Sequence, residues 1–267
     1  MPADVKQLFD SGQLAAAIAA QTEEVKAHPA DAARRAFLFE LLAFTGQLER
    51  AAKQLEALAH QDIEAEMAAQ VYINLLHAEG LRRKLYTGGL KPEFLLDPPA
   101  YIQLHLQAID RLREKKPREA QALLDQSEDE RRESSGKIGE NPFEEFRDCD
   151  DVLAPVLELM LIRDYIWLPI EQVTELEISR PERPRDLLWT PVRVGLVDGT
   201  QRRAYMPARY VDSHQVDDEL VKLGRATDWI GTEGGPVTGV GMRQFLAGDE
   251  ACAMLELEDV AFDARTA

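Results

Sequence analysis

The amino-acid sequence predicts an α+β protein of two domains: a tetratricopeptide-like α-solenoid, then a small, mostly β domain of barrel-like form. The chain has 267 residues, which exceeds the usual size of a single domain. Residues 1–127 show helical spacing and a repeat, whereas residues 142–267 contain short β-branched runs broken by Gly, Pro and Asp-Gly. Residues 128–141 are polar and contain Gly and Ser, which is typical of a linker.

The repeat in the helical part is carried by a Gly-Gln-Leu sequence that occurs twice. Gly12 and Leu14 recur as Gly46 and Leu48, 34 residues later, and Gly80 continues the series. This is the period of tetratricopeptide repeats, in which a small residue separates the two helices of each unit. The pattern therefore predicts stacked helix pairs.

Capping residues set the expected helix limits. Asp31 can accept hydrogen bonds from the free N–H groups of a helix from Ala32 to Thr45, and Gly46 suits the left-handed position after it. The other expected helices lie between Asp62 and Gly80, from Ala100 onwards, and from Pro117 to Gln126. Residues 82–98 are predicted to form an ordered loop or insertion.

The second domain is expected to begin with a helix and continue as strands. Val152 to Leu161 is predicted to form this entrance helix, with Pro155 in its first turn. Further along, Asp198-Gly199 lies between the runs Pro191 to Val197 and Gln201 to Met206 and favours a hairpin, since both turn positions tolerate positive φ.

The charge balance limits the classes of partner. With 31 Lys and Arg against 48 Asp and Glu, the net charge is -17. Binding to nucleic acid or to an anionic membrane is therefore not expected, because both need clustered cations. Cys149 and Cys252 form no CxxC pair, and no leader or membrane-spanning run is seen. We expect a cytoplasmic protein.

Two segments are candidates for chemical sites. Asp148, Asp150 and Asp151 form the densest acidic group, but their spacing matches no calcium loop, and carboxylates at a helix start are stabilised by its dipole. The Gly-rich residues 231–241 lack the Lys-Ser/Thr ending of a phosphate loop, so a turn between strands is favoured. The sequence predicts no catalytic residue, no metal site and no cofactor.

Several short motifs together resemble the ImpE family, also called TagJ, of accessory proteins in bacterial type VI secretion. They are Asp148-Cys-Asp-Asp151, Tyr165-Ile-Trp-Leu-Pro169, Arg185-Asp-Leu-Leu-Trp189, Met206-Pro-Ala-Arg-Tyr210, Leu223-Gly-Arg-Ala-Thr-Asp-Trp229 and Gly239-Val-Gly241 with Arg243 and Phe245. Each motif is weak alone, but their co-occurrence over nearly the whole chain is specific.

The resemblance implies a non-catalytic cytoplasmic adaptor that binds the N-terminal helix of the small sheath subunit, TssB. Such a protein would act near the sheath and its recycling ATPase, ClpV. The alternatives are a metal-dependent enzyme with its site in the second domain, and a general tetratricopeptide scaffold.

A helical solenoid offers a groove into which an amphipathic helix can lay its apolar face. The positions expected to line this groove are Ala36, Glu40, Met67, Gln70, Asn74 and His77. The alternative for these positions is packing on the insertion or on the second domain.

Overall fold

A computed structural model describes residues 3–59, 63–257 and 259–263. Its N-terminal part is helical and its C-terminal part is built from antiparallel sheets, which confirms the α+β class. The helices are α1 (Ala3–Asp10), α2 (Leu14–Ala27), α3 (Ala32–Phe44), α4 (Leu48–Ala59), α5 (Ile63–Gly88), α6 (Ile102–Arg113), α7 (Pro117–Glu130) and the short α8 (Glu219–Lys222).

Helix α3 and the turns before α2 and α4 follow the predicted signals. The Asp31 side chain accepts a hydrogen bond from the Arg34 N–H group at 3.0 Å, at the start of α3. Gly12 and Gly46 both have positive φ, +81° and +74°, in the tight turns before α2 and α4. Helix α3 is buried from residue 37 to residue 44, as its nearly continuous apolar run indicates. These two turns fit a tetratricopeptide unit, although the solenoid itself stays a prediction.

Helix α5 differs from the sequence prediction at its C-terminal end. It passes through Gly80 and continues to Gly88, so the predicted stop at Gly80 is wrong. Beyond this glycine, Arg82 and Leu85 are buried against the second domain and hold the helix in place. The Asp62 cap predicted at the other end lies outside the described residues.

Thirteen strands are described, and all the paired strands run antiparallel. The strands are β1 (Gly136–Ile138), β2 (Asn141–Phe143), β3 (Phe146–Asp148), β4 (Val156–Leu161), β5 (Asp164–Pro169), β6 (Val173–Ile178), β7 (Trp189–Leu196), β8 (Gln201–Pro207), β9 (Thr227–Gly231), β10 (Val237–Gly241), β11 (Gln244–Ala247), β12 (Glu250–Ala253) and β13 (Asp259–Phe262). The largest sheet has eight strands in the order β2-β1-β13-β6-β7-β8-β4-β5, beside sheets of order β12-β11-β3 and β10-β9. The predicted hairpin at Asp198-Gly199 joins β7 to β8 and is confirmed.

The barrel-like form expected for this domain is wrong. Within the described part of the chain, β2 and β5 are the edge strands of an open sheet, whereas a barrel needs its first and last strands to pair. The edge at β5 is covered by the segment after α5. The Glu93 N–H group donates to the Tyr165 carbonyl at 3.0 Å, and the Trp167 N–H group donates to the Glu93 carbonyl at 3.0 Å. Covering protects the edge from pairing with another chain.

Two further boundaries need correction. The predicted entrance helix is a turn at residues 151–155 followed by β4, which is apolar except for Glu158 and is buried on both faces between β5 and β8. The predicted linker is shorter than 128–141, because α7 extends to Glu130 and β1 begins at Gly136. The connection is therefore residues 131–135.

The helical core continues into the second domain. Met160, Leu188, Trp189 and Leu223 belong to the same buried cluster as the side chains of α1 to α5. The rings of Phe39 and Trp189 stack with centroids 6.5 Å apart and an interplanar angle of 14°. This shared core fixes the orientation of the helices relative to the sheet.

Candidate partner-binding surface

Arginine side chains of the second domain lie over aromatic rings of the helical domain at three places. The guanidinium of Arg185 is 4.5 Å from the Tyr72 ring centroid, that of Arg209 is 4.9 Å from Phe44, and that of Arg225 is 4.9 Å from Phe9. Arginine suits such contacts because its planar cation stacks on aromatic faces. These arginines therefore join the two domains.

A buried ionic cluster lies deeper in the same contact. The Arg82 guanidinium of α5 donates two hydrogen bonds to the Glu158 carboxylate of β4, at 2.8 and 2.7 Å. Arg243 donates to Asp148 at 2.9 Å and also to Glu158. The Tyr165 hydroxyl donates to Glu158 as well. All of these side chains are buried.

The surroundings of Glu158 favour its charged form. Burial alone would raise the pKa of Glu158, but Arg82 and Arg243 outweigh it and lower the pKa to about 2. For Asp148, burial dominates over the attraction of Arg243 and raises the pKa to about 6. A buried ion pair of this kind is costly to break, because the remaining charge loses its compensation.

Within the acidic group Asp148, Asp150 and Asp151, two carboxylates stabilise a turn of the fold. Asp148 accepts hydrogen bonds from the Tyr210 hydroxyl at 2.9 Å and from the Asp150 N–H group at 2.8 Å. Asp150 accepts from the N–H groups of Val152 and Gly239, at 2.9 and 2.8 Å. Burial, together with the charge of Asp148, raises the pKa of Asp150 to about 8. These carboxylates close the turn that precedes β4.

Among the described residues, no group of three or more His, Cys, Asp or Glu side chains is placed to hold a metal ion. Within the Gly-rich segment 231–241, residues 232–236 form the turn between β9 and β10, and residues 237–241 are β10 itself. No helix in the described ranges combines the length and the hydropathy needed to cross a bilayer.

The six positions expected to line a groove fall into two sets. The first set lies on α3, where Ala36 is partly buried against the core and Glu40 contacts the second domain. The Glu40 carboxylate accepts a hydrogen bond from Arg185 at 2.9 Å and is only 5% exposed. Burial raises the pKa of Glu40 to about 7, although Arg185 opposes the shift. Glu40 is thus occupied by the second domain, as in the alternative weighed for these positions.

The second set, Met67, Gln70, Asn74 and His77, lies along α5. Met67 is 70% exposed, and the Gln70 amide donates to the Asn74 side-chain oxygen at 2.9 Å. Residues spaced three or four apart share one face of a helix. With Ile63, Leu81 and Lys84, which keep this spacing, they define the α5 face, which is about 30 Å long.

The N-terminal half of the α5 face is apolar and exposed. Ile63 is 72% exposed, and neighbouring Val71 is also exposed. Single exposed apolar residues are ordinary, but three within three turns of one helix form a patch. Such a patch is typical of a surface that another chain covers.

The C-terminal half of the α5 face opens into a groove of about 740 Å³. Its other walls are the start of α4 and Arg163 in the β4–β5 turn. The partly or fully buried apolar side chains in its lining are Leu48, Ala52, Ile73, Leu76 and Leu81. Its exposed charged side chains are Glu49, Arg50, Lys84 and Arg163.

Sequence reasoning predicts the α5 positions but misses the basic side chains beside them. Arg50 and Arg163 are distant in sequence and reach the groove only because α4 and the β4–β5 hairpin flank α5. Lys84 was missed because the helix was expected to stop at Gly80. Continued helical spacing of Leu81, Arg82 and Leu85 past that glycine was the available signal.

These features define a class: an α+β protein in which a helical domain is packed on antiparallel sheets and keeps one open helical face. Residues 140–261 match the family model described as ImpE protein. The chain is 36% identical to the type VI secretion system accessory component TagJ of Pseudomonas aeruginosa, over 97% of this chain and 90% of that protein. The chain therefore belongs to the ImpE/TagJ family.

A solved structure has the same fold over almost the full length. The chain superposes on a crystal structure of a Vibrio parahaemolyticus protein with a TM-score of 0.91 and 26% identity. The match covers 98% of each chain. The helical part and the sheets thus keep their arrangement in that relative.

Proposed function

We propose that this chain is a non-catalytic cytoplasmic adaptor of type VI secretion that binds the N-terminal helix of the sheath subunit TssB through the α5 face. It acts in sheath assembly or in recycling of the sheath by ClpV. Family membership supports the secretion role, since the Pseudomonas relative is named an accessory component of this system. We further propose that α1 to α5 are tetratricopeptide-like units, since Gly12 and Gly46 make equivalent turns.

The exposed patch of Ile63, Met67 and Val71 is the observation that supports this site most directly. An amphipathic helix binds by placing apolar residues at every third or fourth position on such a surface. Met67 suits this role because its unbranched, polarisable side chain adapts to the shape of a partner. Glu40 is left out of the proposed surface because Arg185 of the second domain occupies it, and Ala36 because it packs against the core.

The experiment is a calorimetric titration of the protein with a synthetic peptide covering the N-terminal helix of the cognate TssB. We expect saturable one-to-one binding with a negative heat-capacity change, which marks burial of apolar surface. Met67→Arg should weaken binding by at least about 2 kcal/mol, since a residue central to the contact is replaced by a charge.

The matched control is Val237→Arg, which replaces another exposed apolar residue, on β10, by the same charge. Both variants should keep the wild-type unfolding midpoint, because neither side chain is buried. Equal binding by Met67→Arg and the wild type would remove the α5 face from the proposal. Absence of binding up to millimolar peptide would remove TssB as the partner.

A further inference from the structure

The charges along the α5 face are unevenly distributed. Its N-terminal half is flanked by the exposed acids Glu64 and Glu66. At the other end, the three cations Arg50, Lys84 and Arg163 and the single acid Glu49 are exposed around the groove. Because the whole chain has a net charge of -17, this basic end is a local exception. The surface along α5 therefore changes from acidic at its N-terminal end to basic at its C-terminal end, so a charged ligand can bind in a preferred orientation.

The basic side chains at the groove take little part in holding the fold: the Arg50 guanidinium donates one hydrogen bond, to the Gln47 side-chain oxygen three residues earlier. Within the described ranges, none of Arg50, Lys84 and Arg163 has a carboxylate oxygen within 4 Å. Arg83 differs, since it donates to Glu79 at 3.1 Å and to the Gly46 carbonyl at 3.0 Å. Three cations thus remain available to an acidic partner.

The tip of the β4–β5 hairpin supports a binding role for this end. Ile162, next to Arg163, has φ of +57° and is 72% exposed. A β-branched residue rarely adopts this conformation, and Gly or Asn is preferred at such a turn. Folding alone therefore favours another residue at this position. Strained positions tend to occur where a surface has a function.

We propose that the α5 face takes an acidic amphipathic helix in one direction. Its apolar stripe lies on Ile63 and Met67, and its acidic end lies in the groove between Lys84 and Arg163. The reverse direction is disfavoured because it places the acidic end on Glu64 and Glu66. This inference rests on the proposed function, and it adds the charge class and the direction of the ligand.

The test uses the TssB peptide in the same calorimetric titration, with the charge-reversal variant Arg50→Glu/Lys84→Glu/Arg163→Glu. We expect its affinity to fall about tenfold or more at low salt, since exposed charge pairs each contribute modestly. The affinity of the wild type should fall as salt rises, whereas that of the variant should change little. The control Lys6→Glu/Lys137→Glu/Arg203→Glu makes the same change of net charge outside the α5 face.

A second peptide tests the pairing itself. Replacing the acidic residues of the peptide by their amides should lower its affinity for the wild type by the same factor as the charge reversal does. It should leave its affinity for the charge-reversal variant almost unchanged. Ile162→Gly should also weaken binding by removing an exposed apolar contact. If the charge-reversal variant binds within twofold of the control variant, the inference is overturned. The response of Met67→Arg then decides separately whether the proposed function stands.

Discussion

The buried contact between the domains and the α5 face use the same kinds of side chain in different ways. In the contact, Arg82 and Arg243 are buried and paired with Glu158 and Asp148. On the α5 face, Lys84 and the flanking cations are exposed and lack such partners in the described chain. Charge alone therefore does not identify a binding site in this protein. Burial and pairing separate the charges that hold the fold from those open to a partner.

The largest expected effect comes from breaking the buried contact at Arg82. Arg82→Met should lower the free energy of unfolding by about 3–5 kcal/mol, because it leaves Glu158 buried with one cation fewer. The measurement is urea unfolding followed by circular dichroism. Peptide binding should be unchanged below the transition, since Arg82 does not reach the α5 face.

The double variant Arg82→Met/Glu158→Leu distinguishes a charge effect from a packing effect. It should recover at least about 1 kcal/mol of the loss, because apolar replacement of a buried pair is often tolerated. If Arg82→Met unfolds at the same urea concentration as the wild type, the buried contact contributes little to stability. The buried charges would then not differ from the exposed ones in their effect on the fold.

A second effect is expected from Glu40, through pH. Its pKa is about 7 in the folded chain, against 4.5 ordinarily. Between these values the unfolded chain has lost the proton that the folded chain keeps, so stability falls as pH rises. Relative to Glu40→Gln, the wild type should lose about 2–3 kcal/mol of unfolding free energy between pH 4.5 and 7.

The comparison for this pH effect is Glu56→Gln, at an exposed position of α4. The difference between that variant and the wild type should stay flat over the same range. If the difference in unfolding free energy between Glu40→Gln and the wild type is also constant over this pH range, Glu40 is charged throughout and forms an ordinary ion pair with Arg185.

Local features of the fold were predictable from the sequence where one signal decides them. Asp31 caps α3, Pro117 opens α7, and Asp198-Gly199 makes the hairpin. In each case the residue acts through its own backbone or the nearest turn, so distant parts of the chain cannot change the outcome. The change from helices to strands was predictable for the same reason, since hydrophobic period is a local property.

Features that depend on distant partners were not predictable. Glycine at position 80 was interpreted as a stop, but Arg82 is held by Glu158, 76 residues away, and α5 continues. The run at 156–161 fits a helix or a strand equally well, and its neighbours β5 and β8 decide for the strand. Of the predicted α5 positions, His77 lines the groove, whereas the contribution of Arg163 to it depends on the tertiary structure.

The smallest expected effect concerns Ile162 and has opposite signs for folding and binding. The pairing of Leu161 with Asp164 leaves Ile162 and Arg163 as a two-residue turn, in which Ile162 has positive φ. Ile162→Gly should raise the free energy of unfolding by about 1 kcal/mol, because relief of strain exceeds the entropy that glycine adds to the unfolded chain. Thermal or urea unfolding measures this gain.

Ile162→Ala is the matched variant for this turn. It removes the exposed apolar side chain but keeps a Cβ atom, so it should gain less stability than Ile162→Gly while losing the same contact with a partner. If Ile162→Gly is more stable than the wild type but binds the peptide more weakly, the strained backbone at Ile162 contributes to binding and not to folding. If Ile162→Gly destabilises the chain, the turn serves the fold, and the division between a folding region and a binding region does not extend to the hairpin.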